Sequence, residues 1–159
     1  MNNFHESLFE INLNHLEKNL SFLAGNLNPC TKIIAVVKAF AYGHGDIEIC
    51  KKLENLKIYA FWVADFEEGI ILRKNGVEKP IIVANTSPKS ISQIIKYNLD
   101  VVVYNFRMLD ALISKKEPIT IHLKFNCGMN RFGFSANDIP KIKKDLNNTK
   151  IIIRSICSH

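Results

Sequence analysis

Short runs of β-branched and aliphatic residues recur along this sequence at a nearly constant interval, and that interval constrains the fold more than any other feature. The runs occupy residues 32–39, 59–65, 80–85, 100–105, 119–126 and 150–157, so successive starts lie 27, 21, 20, 19 and 31 residues apart. Between them lie segments with helical periodicity at 46–56, 66–75, 88–98, 106–116 and 137–147. Ser87 before Pro88 marks one helix start and Gly76 closes another helix. Strand and helix alternating at this spacing are the signature of a parallel α/β fold. The strands, such as Ile33-Ile34-Ala35-Val36-Val37 and Val101-Val102-Val103, are almost wholly apolar. That pattern predicts a sheet buried on both faces.

An open doubly wound sheet and a closed TIM-type barrel share this rhythm. The first strand-to-helix junction, Ala39-Phe40-Ala41-Tyr42-Gly43-His44-Gly45, lacks the glycine spacing of a dinucleotide-binding loop, which favours the barrel. Six strands in 159 residues fall short of a closed barrel, which takes eight strands and about 250 residues. The expectation is therefore an incomplete TIM-type (β/α) barrel, the N-terminal part of something longer. Residues 29–159 form the barrel portion. Residues 1–28 precede it as a strand, where 7–13 alternate polar and apolar, running into a helix marked by Leu16, Leu20, Leu23 and Leu27.

Composition excludes several classes. The net charge is +6, but 17 of the 21 basic residues are lysines scattered along the chain, which reads as a solvated surface and not a nucleic-acid groove. No apolar run approaches the roughly 20 residues that span a bilayer. The N-terminus, with Glu6 and Glu10, has no export-signal pattern, so a cytoplasmic protein is expected. Cys30, Cys50, Cys127 and Cys157 lack metal-ligand spacing and read as reduced thiols, mostly in the core. No metal is expected.

Candidate chemistry begins at Lys38, a cation ending an apolar strand. Barrel active sites lie at the C-terminal ends of the strands, and a lysine there can serve as a nucleophilic amine and form a Schiff base. The turn that follows, Tyr42-Gly43-His44-Gly45, offers a phenol and closely approachable backbone to a phosphate-bearing ligand. His44 is expected only to shape this turn.

Ala35-Val36-Val37-Lys38-Ala39-Phe40-Ala41-Tyr42-Gly43-His44-Gly45 resembles the pyridoxal-phosphate lysine motif of the alanine racemases. The segment His122-Leu123-Lys124-Phe125-Asn126-Cys127-Gly128-Met129-Asn130-Arg131-Phe132-Gly133-Phe134 is similar to the stretch that carries the family's cofactor-contacting arginine. Ser158-His159 matches a third motif, and Glu67-Glu68 with Leu72-Arg73 also looks like family sequence. Phe40 stands where the family usually has a small polar residue such as Asn, Asn126 where it has Asp, and Cys127 where it has Thr.

The resemblance implies the N-terminal part of a fold-type III enzyme with pyridoxal 5'-phosphate as cofactor, an amino acid as substrate and a homodimer as the working form. It implies Lys38 as the Schiff-base lysine and catalytic base, and Tyr42 as a phosphate ligand. Arg131 would contact the cofactor's phenolic oxygen and the substrate side, and His159 the pyridine ring. Lys124 matches a lysine that many members carbamylate. The second base, a tyrosine of the partner subunit, is expected beyond residue 159. A broad-specificity amino-acid or serine racemase shares these motifs. A non-catalytic pyridoxal-phosphate carrier shares the lysine but, by resemblance, lacks the Tyr42-Gly43-His44-Gly45 turn.

Overall fold

The computed structural model describes residues 7–159. Six strands, β1 (Ile34–Val36), β2 (Ala60–Val63), β3 (Ile81–Val83), β4 (Asp100–Val103), β5 (Ile119–Lys124) and β6 (Ile151–Cys157), form one sheet in sequence order. Every neighbouring pair is parallel. Each expected strand is present, trimmed at its ends to the residues that have ladder partners. The sheet does not close, and the incomplete barrel is the architecture found.

The connections are helical. After α1 (Leu13–Gly25) come the short turn α2 (Lys38–Gly43), α3 (Asp46–Glu54), α4 (Phe66–Lys74), α5 (Ile91–Lys96), α6 (Phe106–Ile113) and α7 (Ile139–Leu146). Their starts obey local capping chemistry. Asp65 accepts from the Glu67 and Glu68 amides, Asn105 from the Met108 amide and Asn12 from the Asn14 and His15 amides. Ser87 opens a 3-10 turn (Pro88–Ser90) ahead of α5, and Gly76 follows α4 at φ 89°.

Alternation sorts the strand residues onto two faces. Phe61, Val63, Ile81, Val83, Val101, Val103, Ile119, Ile121 and Leu123 pack under the helices with Leu72, Ile94, Leu109 and Leu112, giving one continuous core. The opposite, inner face carries Ala60, Ile82 and Val102, with Trp62, Tyr104 and Cys157 against them. Burying a large aliphatic side chain is worth about 1.5–3 kcal/mol, so the helix-covered face supplies most of the stability.

Strand β6 departs from simple alternation. Ile121 pairs with Ile153 but His122 with Ser155, so Arg154 is an extra residue, a bulge. Ile151 and Ile153 oppose helix-face residues, whereas Ser155 and Cys157 oppose His122 and Lys124 of the inner face.

Two expectations need correction. Residues 7–12 form no strand, because among the described residues nothing pairs with them; Leu8 and Phe9 are exposed, and the helix starts at Leu13. Residues 1–6 of the expected N-terminal segment lie outside the described residues. The helix packs on the core through Leu13, Leu16 and Leu20, with Ile11 just before it, while Leu23 and, beyond the helix, Leu27 are exposed. Of the four thiols only Cys50 is fully buried; Cys157 is half-buried, and Cys30 and Cys127 are exposed. No described helix is long and apolar enough to cross a membrane, and no described group of side chains could hold a metal ion.

Candidate active site

All five residues singled out in the sequence lie at or beyond the C-terminal ends of strands. Lys38 follows β1, with Ile34 and Val36 before it on the inner face. The ladder holds to the Val37 amide, which donates to the Trp62 carbonyl at 2.9 Å. The chain then leaves the sheet in a left-handed turn: Ala39, Phe40, Ala41 and Tyr42 have φ of 50–57° and ψ of 35–54°. Four consecutive L-residues in this region are costly, about 1–2 kcal/mol each. The surroundings hold them there. The Ala41 amide donates to the Val37 carbonyl at 2.9 Å and the Gly45 amide to the Phe40 carbonyl at 3.1 Å, and His44 Nδ1 bonds the Ala41 carbonyl at 2.8 Å. His44 therefore shapes the turn, as expected. The turn displays Tyr42, 60% exposed, whose hydroxyl has no hydrogen-bond partner among the described residues. Phe40 is exposed beside it.

Arg131 rides on a closed loop after β5. The Phe134 amide donates to the Lys124 carbonyl and the Asn126 amide to the Phe134 carbonyl, both at 2.9 Å, pinning the loop at its base. Gly133, at φ 143°, crosses so close that a Cβ would lie 2.3 Å from the Asn126 nitrogen, so only glycine fits. Asn126 organises the interior of the loop, its Oδ1 accepting from the Asn130 amide at 2.9 Å and its Nδ2 donating to Asn130 Oδ1. The Arg131 guanidinium lies over the Phe132 ring, which stacks on Tyr104 at 4.6 Å.

Lys124 and His159 meet between these loops. Lys124 is 8% exposed, and its Nζ lies 3.4 Å from His159 Nδ1. Desolvation, followed by the fields of Lys124, Arg131 and Lys38, pushes the His159 imidazole below its ordinary value. Four of the five residues therefore share one electrostatic environment. Among the described residues no carboxylate ion-pairs with Lys38, Lys124 or Arg131. A buried ammonium beside further cations, without a counter-charge, is a donor set suited to an anionic ligand carrying phosphate, phenolate or carboxylate oxygens.

Three contributors had no role assigned to them from the sequence. Tyr104, whose hydroxyl donates to Asn85 Oδ1 at 2.6 Å, braces Phe132 and so the arginine loop; its signal was a polar aromatic ending an apolar strand. Glu68 bonds the Lys38 turn from α4. The Arg154 bulge brings Ser155 and Cys157 to the inner face, and a bulge has no composition cue.

Comparison with known proteins agrees with this geometry. The family model described as alanine racemase, N-terminal domain, matches residues 11–159. The amino-acid racemase of Enterococcus faecalis is 39% identical over 134 residues, covering 84% of this chain and 19% of that protein. Alanine racemase 2 of Clostridium acetobutylicum is 37% identical over 143 residues, 87% of this chain and 36% of the relative. The serine/alanine racemase of Enterococcus gallinarum is 42% identical over 116 residues, 72% of this chain and 17% of the relative. Among solved structures, alanine racemase of Clostridium difficile 630 superposes with a TM-score of 0.89 at 31% identity, covering 94% of this chain and 41% of that one. The chain thus spans well under half the length of these relatives.

Proposed function

We propose, since this chain belongs to the alanine racemase family and matches its N-terminal domain, that it furnishes the cofactor lysine and one wall of the active site of a pyridoxal-phosphate-dependent alanine racemase. The observation that carries the reading is the placement of Lys38 at the end of β1 among uncompensated cations. Pyridoxal 5'-phosphate, when bound, supplies an electron sink for the charge left on the substrate's α-carbon. In this reading Lys38 Nζ would hold the cofactor through its aldehyde carbon, whose oxygen leaves as water, and, once freed by the incoming substrate amine, would act as base for the α-proton on one face. The free Tyr42 hydroxyl donates to a phosphate oxygen. Arg131 would pair with the phenolic oxygen and face the substrate, and His159, its imidazole held below its ordinary value by desolvation and then by its cationic neighbours, would pack near the pyridine ring. Lys124, buried without a counter-charge, is the candidate for carbamylation, which would make it an anion able to pair with Arg131. The group serving the opposite face comes from the second subunit of a homodimer. The product, D-alanine, would supply peptidoglycan precursors in the cytoplasm.

The test is chemical. Incubate the protein with pyridoxal phosphate, reduce with borohydride and map the modified peptide. Modification at Lys38 is expected; labelling elsewhere with Lys38 untouched overturns the assignment. The amino-acid and serine/alanine racemases among the relatives favour a second reading, a broader substrate range. α-Proton exchange in deuterated water over a panel of amino acids distinguishes the two.

A further inference from the structure

The β1–β2 ladder ends where the chemistry begins. Val37 donates to Trp62, and in a continuing parallel ladder the next donor of β1 would be the Ala39 amide, bonded to the Ala64 carbonyl. The left-handed turn removes Ala39 from that position, and the donor is taken by a side chain 29 residues away: Ala39 N–H donates to Glu68 Oε1 at 2.7 Å. The other carboxylate oxygen, Oε2, accepts from the Ala64 amide, also at 2.7 Å. Glu68 is itself fixed, because its own amide is capped by Asp65 in the first turn of α4. Both distances are those of charge-assisted bonds.

We propose that Glu68 is a positioning residue for Lys38, its carboxylate replacing the missing ladder partner and fastening the end of β1 to the end of β2. Lys38 then stands between two anchored amides, Val37 on Trp62 and Ala39 on Glu68, at the point where the backbone turns left-handed. What Lys38 does with that placement rests on the function proposed above; the clamp itself does not.

Glu54 offers an internal control. Its Oε1 also accepts two backbone amides, those of Glu78 and Lys79, but before β3 at the far end of the sheet. Compare Glu68→Gln, Glu68→Asp and Glu54→Gln with the unsubstituted chain, measuring amide exchange by NMR, the rate of borohydride-trapped attachment of pyridoxal phosphate to Lys38, and the melting temperature. A glutamine has one acceptor oxygen for two amides and turns an NH2 toward the other donor. Glu68→Gln is expected to speed exchange at Ala39 by about 10-fold or more and to slow attachment at Lys38 comparably. Glu68→Asp, charged but a methylene short, should fall between. Glu54→Gln should lower the melting temperature and leave both readouts unchanged. Unchanged exchange at Ala39 in both Glu68 variants overturns the clamp. Equal slowing of Lys38 attachment by Glu54→Gln overturns the positioning role, since general loosening would then explain it. If Lys38 takes no label in the unsubstituted chain, the functional reading fails, and exchange at Ala39 still decides the clamp.

Discussion

The two ends of the sheet treat charge in opposite ways. At the N-terminal ends of the strands the buried and half-buried ionic groups Arg73 and Asp100 are fully hydrogen-bonded. Arg73 donates to the carbonyls of Tyr97, Val77, Lys79 and Asn98. Asp100, 5% exposed, accepts from Arg154 and His122, and His122 Nδ1 and Ser155 Oγ lie 2.6 Å apart. At the C-terminal ends, Lys38, Lys124 and Arg131 have no anionic partner among the described residues, and four residues in a row hold a costly backbone conformation. Of these three charges only Lys124 is buried, and that uncompensated charge and the strained backbone are expensive to keep, so a fold retains them where something else uses them. The satisfied end holds the structure together; the unsatisfied end is where a ligand would complete it.

That contrast can be broken by experiment. The largest effect is expected from Lys38→Ala, which should abolish borohydride-trapped cofactor attachment while leaving the melting temperature essentially unchanged. At the other end, Arg73→Met should do the reverse. Four carbonyls would lose their donor, costing about 3 kcal/mol in urea unfolding, with Lys38 still labelled. Gly133→Ala tests the loop between them. The crossing has no room for a Cβ, so a loss of about 2 kcal/mol and a displaced Arg131 are expected, the latter read from weakened protection of the Phe134 and Asn126 amides. Lys124→Gln removes a cation from beside His159, and NMR titration should show the imidazole moving back up toward its ordinary value. The smallest effect belongs to neither end. Burial, then Asp46 and Glu54, push the Cys50 thiol up to about 12 from 9.0. The unfolded thiol ionises first, so stability should fall as pH rises from 9 toward 12, and Cys50→Ala should flatten that slope in urea midpoints.

Much of the satisfied part was legible in the sequence, because a strand buried on both faces has to be apolar throughout, and six such runs at a βα interval leave little choice of topology. The position of Lys38 was legible for the converse reason, as a charge ending an apolar strand, and that of Arg131 only through the motif around it. The left-handed turn was hidden: Ala39-Phe40-Ala41-Tyr42 contains no glycine, and the usual sign of positive φ is missing. Glu68 was hidden too, since an acidic pair in the first turn of a helix already has an ordinary explanation in the helix dipole. Residues 7–12 misled for a different reason. Alternation says that a segment could be a strand, but a strand also needs a partner, and none is present among the described residues.

The extra residue in β6 has a consequence for how substitutions along that strand are read. Up to Ile153, odd-numbered positions belong with the helices; from Ser155 onward, odd-numbered positions belong with the interior. A rule of thumb learned on one half is therefore inverted on the other, and a polar residue tolerated at 155 would be misplaced at 153. Deleting Arg154 would remove the bulge and leave Ile153 and Ser155 consecutive, opposite Ile121 and His122 in plain alternation. Ser155 would keep His122 and His159 would keep Lys124, and the loss would fall on Asp100, left without the Arg154 guanidinium.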